Sequence, residues 1–203
     1  MLELILVRHG ETEGNRKKVY QGWTDTRLNK NGLRQAERLA LRLRKTELDS
    51  IYSSPLDRAL MTAMTVNKYH GLEIKTVENI KEVNFGDWEN MSRQQLEKLY
   101  PDYMERWKKD YKNFAAPGGE TLDIAYSRIN SWIERLIRNK TKGRALVVSH
   151  AGAIRAVVSG LVGRGVEGHW NYVISNCSIT TINVYDGFPV LAGLNDVSHL
   201  ENL

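Results

Sequence analysis

The pattern of apolar runs predicts an α/β fold, a three-layer sandwich with a mostly parallel central sheet and helices on both faces. Short, nearly continuous apolar segments such as Leu2–Val7 and Ala145–Ser149 suit strands buried on both sides. Between them lie longer segments whose apolar residues recur at i, i+3 and i+4, the spacing of one buried helix face. Strands that alternate with helices need crossover connections, which a parallel sheet with covered faces accommodates. The length of 203 residues corresponds to one domain with a modest insertion, at roughly 150 residues per domain. A chain of that size buries a core without disulfides or metal.

The elements follow in order. Leu2–Val7 is the first strand. Asn29–Glu47 reads as a helix through Leu33, Ala36, Leu39, Ala40 and Leu43, with Arg and Lys on the other face. Leu48–Ser54 is a second strand. Ser54-Pro55 supplies a cap residue and a proline at the first helical position, so a helix is expected over Leu56–His70. Glu73–Val77 is a third strand. From Lys81 to Gly119 the character changes: Phe85, Trp88, Tyr100, Tyr103, Trp107, Tyr111 and Phe114 sit among many charges, with Pro101 and Pro117 as breakers. Short helices joined by loops, packed over one end of the sheet, fit this stretch. Thr121–Lys140 is a long amphipathic helix through Leu122, Ala125, Ile129, Trp132, Ile133 and Leu136. A strand over Ala145–Ser149 and a helix over Ala151–Val162 come next. Ser178–Tyr185 and Pro189–Leu194 close the sheet through the Asp186-Gly187 turn.

Composition narrows the function classes. The single cysteine, Cys177, excludes an internal disulfide and any multi-cysteine metal knuckle, and it suits a reducing compartment. Glu3 and Arg8 bracket the first apolar run, no span or signal peptide fits, and the cytoplasm is the expected compartment. A net charge of +5 and a pI near 9.3 are compatible with nucleic acid, a membrane surface or small anionic substrates. Nucleic acid would rest on the pI alone. The basic clusters Arg16-Lys17-Lys18, Lys108-Lys109 and the run from Arg138 to Arg144 lie on separate elements, as solvated helix faces do. No nucleic-acid or membrane partner is expected.

The chemistry is expected beyond the carboxyl ends of the parallel strands. The first strand ends in Arg8-His9-Gly10, Arg58 follows the second by one helical turn, and the strand Ala145–Ser149 ends in His150-Ala151-Gly152. Three strands therefore deliver two guanidiniums and two imidazoles to one rim, beside the N-termini of following helices. Such a set suits a tetrahedral dianion, and arginine's planar fork binds two phosphate oxygens at once. Gly10 and Gly152 let backbone approach a ligand closely.

The ordered motifs Leu6-Val7-Arg8-His9-Gly10-Glu11-Thr12-Glu13-Gly14-Asn15, Gln21-Gly22-Trp23, Ser53-Ser54-Pro55-Leu56-Asp57-Arg58-Ala59, Glu82-Val83-Asn84-Phe85-Gly86-Asp87-Trp88-Glu89, Pro117-Gly118-Gly119-Glu120 and Val148-Ser149-His150-Ala151-Gly152 run through nearly the whole chain. In this set the chain resembles the histidine phosphatases, the phosphoglycerate-mutase-like superfamily. The resemblance implies a single domain over 1–203 with a helical lid at about 82–119. It makes His9 the nucleophile that takes the phosphoryl group, with Arg8, Arg58 and His150 completing the phosphate pocket and Asn15 as a further contact. Glu82 matches the proton donor. Gln21 and Gly22 match the substrate entrance, and Ala151 and Gly152 are assigned to substrate binding beside His150. It implies no cofactor and no metal, because the arginines neutralise the charge on the transferring group. Asn90 departs from the glycine that many relatives carry there, and asparagine tolerates a left-handed backbone.

Other signals carry less. Gly163-Arg164-Gly165-Val166-Glu167-Gly168 matches G-x-G-x-x-G but follows a helix rather than a strand, so a helix-terminating turn is expected. Cys177 has no nearby downstream arginine and reads as buried packing in a strand. His70, His169 and His199 are dispersed and expected to be structural or on the surface.

The function expected is a metal-independent phosphomonoesterase that acts on a small phosphorylated metabolite as a monomer or homodimer. Phosphoryl return to a substrate, as in a mutase, is the alternative, and a non-catalytic phosphoryl-binding module is a third. For the substrate, alpha-ribazole 5'-phosphate is considered first, with Trp88, Tyr103 or Trp107 as a stacking face. Phosphoserine, or a broad range of phosphates, is weighed beside it.

Overall fold

The computed structural model describes residues 1–201. A six-stranded sheet runs in the order β3-β2-β4-β1-β5-β6. Its strands are β1 (Leu2–Arg8), β2 (Ser50–Ser53), β3 (Ile74–Thr76), β4 (Gly143–Ser149), β5 (Ile179–Tyr185) and β6 (Phe188–Asp196). The first four are mutually parallel, whereas β5 is antiparallel to both β1 and β6. The helices are α1 (Glu13–Arg16), α2 (Lys30–Leu43), α3 (Asp57–Asn67), α4 (Arg93–Leu99), α5 (Pro101–Lys109), α6 (Leu122–Asn139) and α7 (Ala151–Val162). The α/β sandwich with a mostly parallel sheet is as expected.

Strand alternation builds the layers. Leu2, Leu4 and Leu6 face one core with α6 and α7, including Ala125, Ile129, Ile133 and Val157. Ile5 and Val7 face the other, with α2 and α3 supplying Ala36, Leu39, Ala40, Ala59, Ala63 and Val66. Each fully buried Leu, Ile or Val contributes about 1.5–3 kcal/mol. The predicted α6 stripe is buried as written, from Leu122 to Leu136.

Several ends move. α2 stops at Leu43, and Leu33 is 40% exposed. Gly32 takes its place: a Cβ there would run into the backbone of Glu11, so its bare Cα lets α2 lie directly on the loop after β1. α3 begins at Asp57, two residues later than Ser54-Pro55 predicts, with no side-chain cap from Leu56. The Ser54 hydroxyl is drawn to the His150 ring at 2.8 Å, and the Asp57 amide donates instead to Asp25 Oδ1 at 2.8 Å. A tertiary contact thus replaces the local cap.

Parallel register sets the site. Arg8 pairs with Ser149, and Ser53 pairs with Val148. Strands β1, β2 and β4 therefore end at one level, and the residues after them emerge side by side. The stretch between β3 and α6 forms short helices and 3-10 turns, as expected, around a small apolar cluster of Trp88, Leu96, Met104 and Ala116. Asn90 has φ of 65°, and Asp186 and Gly187 have φ of 49° and 87° in the β5–β6 turn. The glycine-rich run at 163–168 leads from α7 into a 3-10 segment, Gly165–Asn171. Cys177 lies just before β5 rather than within it, at φ of 51°, and is fully buried.

Candidate active site

The strand ends converge beneath a cavity of about 290 Å³. Arg8, His9, Asn15, Gln21, Gly22 and Arg58 form part of its wall, joined by Glu82, Ala151 and Gly152. His150 does not border the cavity: it is fully buried behind His9, with the ring centroids 5.1 Å apart.

The hydrogen bonds prepare each group. His9 Nδ1 lies 2.7 Å from the Gly10 carbonyl, which only accepts, so Nδ1 carries the proton and Nε2 keeps its lone pair. Arg8 Nη1 donates to the Ile174 carbonyl at 2.7 Å. Arg58 donates to the carbonyls of Gly22 at 2.7 Å and Thr24 at 2.9 Å. The carbonyls fix both forks and leave their Nε donors buried without a partner among the described residues, as is His150 Nδ1. Buried orphan donors are rare because each costs about 1–3 kcal/mol. Asn15 Oδ1 accepts from the Thr12 amide at 3.1 Å and from Asn176 Nδ2 at 3.2 Å, which fixes the side chain on the cavity wall and leaves its amide nitrogen without a hydrogen bond among the described residues. Gln21 is held likewise through Oε1, 2.9 Å from the Thr26 hydroxyl.

Glu82 lies on irregular backbone after β3, and its placement depends on neighbours. Its carboxylate accepts from the Val83 amide at 2.9 Å and the Gly152 amide at 3.1 Å, at the start of α7. A Cβ on Gly152 would run into this carboxylate. Arg128 anchors the segment from behind. It donates to the carbonyls of Asn79 at 2.7 Å, Lys81 at 3.0 Å and Glu82 at 2.7 Å. Its remaining bonds go to both carboxylate oxygens of Glu120, at 3.0 and 2.6 Å. Trp23 Nε1 adds a bond to the Glu82 carbonyl at 2.7 Å. Glu89 ties the loop after Gly22 down by accepting from the amides of Trp23 and Thr24, each at 2.7 Å. Arg128, Asn176 and the role of Glu89 were not legible in sequence, since each acts across a distance in the chain on backbone groups.

Electrostatics favour neutral imidazoles. Burial, then Arg58 and Arg8, holds His9 well below the usual 6.5, and burial with Arg58 does the same for His150. Burial lowers Arg8 to about 10, which leaves it cationic at neutral pH. Burial pushes the Cys177 thiol up, so it is no nucleophile. His169, expected to be structural or on the surface, is buried on the cavity wall and lowered to about 3 by burial and Arg155. Trp107 and Trp88 border the cavity, but Tyr103 does not, which removes it as a stacking face; Trp88 is 2% exposed within its own cluster. His199 donates to the Cys177 carbonyl at 3.1 Å, a structural role.

These depressed values set an acid limit on stability. Below about pH 6.5 the unfolded chain takes up protons that His9, His150 and His169 refuse in the fold, so stability is full above that pH and falls below it. His169, lowered to about 3, forfeits about 2 kcal/mol between pH 6.5 and 5, at 1.36 kcal/mol per unit, and His9 and His150 act in the same direction. Urea midpoints at pH 7.5 and 5.0 are expected to differ sharply. Equal midpoints would mean that the rings are protonated in the native state.

Among the described residues no group of three or more His, Cys, Asp and Glu side chains is placed to hold a metal ion, and no helix is long and apolar enough to cross a membrane.

A parallel sheet that gathers two imidazoles and two guanidiniums at its strand ends defines a phosphoryl-handling α/β enzyme. The chain belongs to the histidine phosphatase superfamily (branch 1), whose profile matches residues 4–197. It is 34% identical over 98% of its length to phosphoserine phosphatase 1 of Hydrogenobacter thermophilus, covering 95% of that protein. The alpha-ribazole phosphatase of Shigella flexneri superposes with a TM-score of 0.90 at 28% identity, covering 96% of each chain. A phosphoserine phosphatase from Entamoeba histolytica, solved in complex with 3-phosphoglyceric acid, superposes at 0.85 with 32% identity, covering 98% of this chain and 100% of that one. The chain is a phosphatase, a hydrolase of phosphomonoesters.

Proposed function

We propose that the chain hydrolyses small phosphomonoesters in two steps through a phosphohistidine at Nε2 of His9. The observation that carries this reading is the pair of buried, unpartnered guanidinium donors at Arg8 Nε and Arg58 Nε beside an imidazole whose other nitrogen is tied to Gly10. A phosphoryl group bound there satisfies those donors, and the guanidiniums neutralise charge on its equatorial oxygens. Nε2 attacks phosphorus as the P–O bond to the alcohol breaks, and Glu82 gives the leaving oxygen its proton. Glu82 as carboxylate then takes a proton from water, which attacks phosphorus and releases His9 with inorganic phosphate. Asn15, Gln21, Gly22, Ala151 and Gly152 line the substrate's path, and the segment 82–119 serves as its lid. The charge stabilisation a metal would supply comes from the arginines.

A second reading concerns the leaving alcohol. Trp107, Tyr111 and Trp170 form an aromatic wall of the cavity, with Trp107 and Trp170 edge to face at 6.1 Å. Such a wall supports a flat leaving group of the kind in alpha-ribazole 5'-phosphate.

Phosphate release in chelator tests both. The panel is alpha-ribazole 5'-phosphate, phosphoserine, 3-phosphoglycerate and p-nitrophenyl phosphate. Turnover is expected, with one member preferred hundreds-fold in kcat/KM, which equals about 3–4 kcal/mol of differential transition-state binding. Transfer of the phosphoryl group to a second phosphoglycerate in place of release would make the chain a mutase. No release from any member would overturn the reading.

A further inference from the structure

We propose that Thr62 and Asn176 act together as positioning residues for the nucleophile. They clamp the peptide unit that joins His9 to Gly10 at both of its polar groups and tie it to Arg58 and Asn15. The inference rests on the phosphohistidine reading above and deepens it.

The carbonyl of that unit accepts from Asn176 Nδ2 at 3.0 Å, and its amide donates to Thr62 Oγ1 at 3.1 Å. A trans peptide is planar, and its carbonyl and N–H point opposite ways, so the two bonds hold the plane from both sides. The His9 ring is tied through Nδ1 to the next carbonyl, that of Gly10. Fixing the plane therefore fixes where Nε2 stands. Each clamp is shared with a group of the phosphate pocket. The Thr62 hydroxyl donates to the Arg58 carbonyl at 2.8 Å. Asn176 Nδ2 donates also to Asn15 Oδ1 at 3.2 Å. One hydroxyl and one carboxamide nitrogen thus register the nucleophile against Arg58 and against Asn15.

Neither side chain borders the cavity, so each acts through the groups it holds. Thr65, on the same helix α3, shows the ordinary case. Its hydroxyl donates to the Met61 carbonyl at 2.8 Å, a bond that threonines in helices commonly make, and accepts nothing among the described residues. The Thr62 hydroxyl makes the same bond and takes in addition an amide 52 residues away.

Asn176 sits on a strap of chain that is bent onto the site. Cys177 has φ of 51°, which is uncommon for a residue with a side chain. In that bend the Cys177 amide donates to the carbonyls of Arg8 at 3.0 Å and His9 at 3.3 Å. The Ile174 carbonyl holds Arg8 Nη1 at 2.7 Å. From the outer side, Asn195 Oδ1 accepts from the Ser175 amide at 2.6 Å, and His199 holds the Cys177 carbonyl. Backbone in a sparsely populated region persists where its surroundings over-determine it, as these bonds do. Attack on phosphorus needs a near-attack geometry, and a displacement of about 1 Å can cost about 100-fold in rate.

Thr62→Val and Asn176→Leu remove the bonds at nearly constant volume and test the clamp in the full chain. Each is expected to slow phosphohistidine formation, read by rapid quench, about 10–100-fold, with KM changed far less. The loss should be similar on p-nitrophenyl phosphate and on alkyl phosphates, because attack by His9 is common to both. Vanadate, which bonds to the nucleophile as a mimic of the transition state, is expected to lose about tenfold or more in inhibition relative to inorganic phosphate. Thr62→Ser keeps the hydroxyl and is expected to recover most of both losses. Asn176→Asp is expected to be worse than Asn176→Leu, because its carboxylate turns lone pairs toward the His9 carbonyl and Asn15 Oδ1. A lowered thermal midpoint with the labelling rate and the vanadate-to-phosphate ratio of the folded protein unchanged would overturn the clamp alone. Should Thr62→Val fail to fold, Asn176→Leu, at a half-buried position, decides by the same two readouts. A native enzyme that forms no phosphohistidine would overturn the phosphohistidine reading and this inference with it.

Discussion

His9→Ala is expected to lower turnover by at least roughly 10⁴-fold and to remove an acid-labile, base-stable phosphoenzyme. The cause is the loss of the imidazole nitrogen that is left with a free lone pair beside Arg8 and Arg58. His150 cannot substitute, because it is fully buried behind His9 and outside the cavity wall. Cys177 cannot either, because burial keeps its thiol protonated. The orphan donors of Arg8 and Arg58 remain, so the variant should still bind phosphate esters. Rapid-quench labelling with a 32P-labelled substrate checks the intermediate, and calorimetry checks the binding. Near-native activity with the same label would place the nucleophile elsewhere.

Glu82→Gln is expected to produce the second largest effect, about 10²–10⁴-fold on alkyl phosphates and far less on p-nitrophenyl phosphate. A nitrophenolate leaves without a proton, whereas an alkoxide does not. The amide is isosteric but keeps an oxygen for only one of the Val83 and Gly152 amides, which bond different carboxylate oxygens, so any loss from loop geometry falls on both substrate types alike. The comparison of kcat on the two substrate types therefore isolates proton transfer from placement. An equal loss on both would assign Glu82 to structure, with the Arg128 anchor and the Trp23 bond as its context.

Local pattern and tertiary context divided the information unevenly. The apolar spacing of α6 placed every buried residue from Leu122 to Leu136, because a helix that covers a sheet shows one face. Arg8, His9, Arg58 and His150 were legible because parallel strands export their chemistry at one end, and the residues after each strand can be read off directly. Helix starts were less secure. Ser54 looks like a cap, but its hydroxyl is committed to His150, and Asp25 satisfies the Asp57 amide instead. Leu33 looks like core, but Gly32 takes the contact because only a bare Cα fits against Glu11. Tyr103 and Trp107 are both aromatics of α5 four residues apart, and only Trp107 reaches the cavity.

The sequence by itself determined the layer architecture, the four groups gathered at the strand ends and the family. Each of these depends on local periodicity or on residues contiguous with a strand end. Tertiary structure alone decided which nitrogen of His9 is free, which donors stay unspent, and that Arg128 holds the Glu82 segment while Thr62 and Asn176 bond the peptide between His9 and Gly10. Those properties depend on partners tens of residues away in the chain, mostly backbone carbonyls, which every residue carries and no side-chain pattern announces. Hydrogen-bond satisfaction is settled only when the chain has folded, and in this site it separates Arg128, whose donors are spent on structure, from Arg8 and Arg58, each left with an unspent donor.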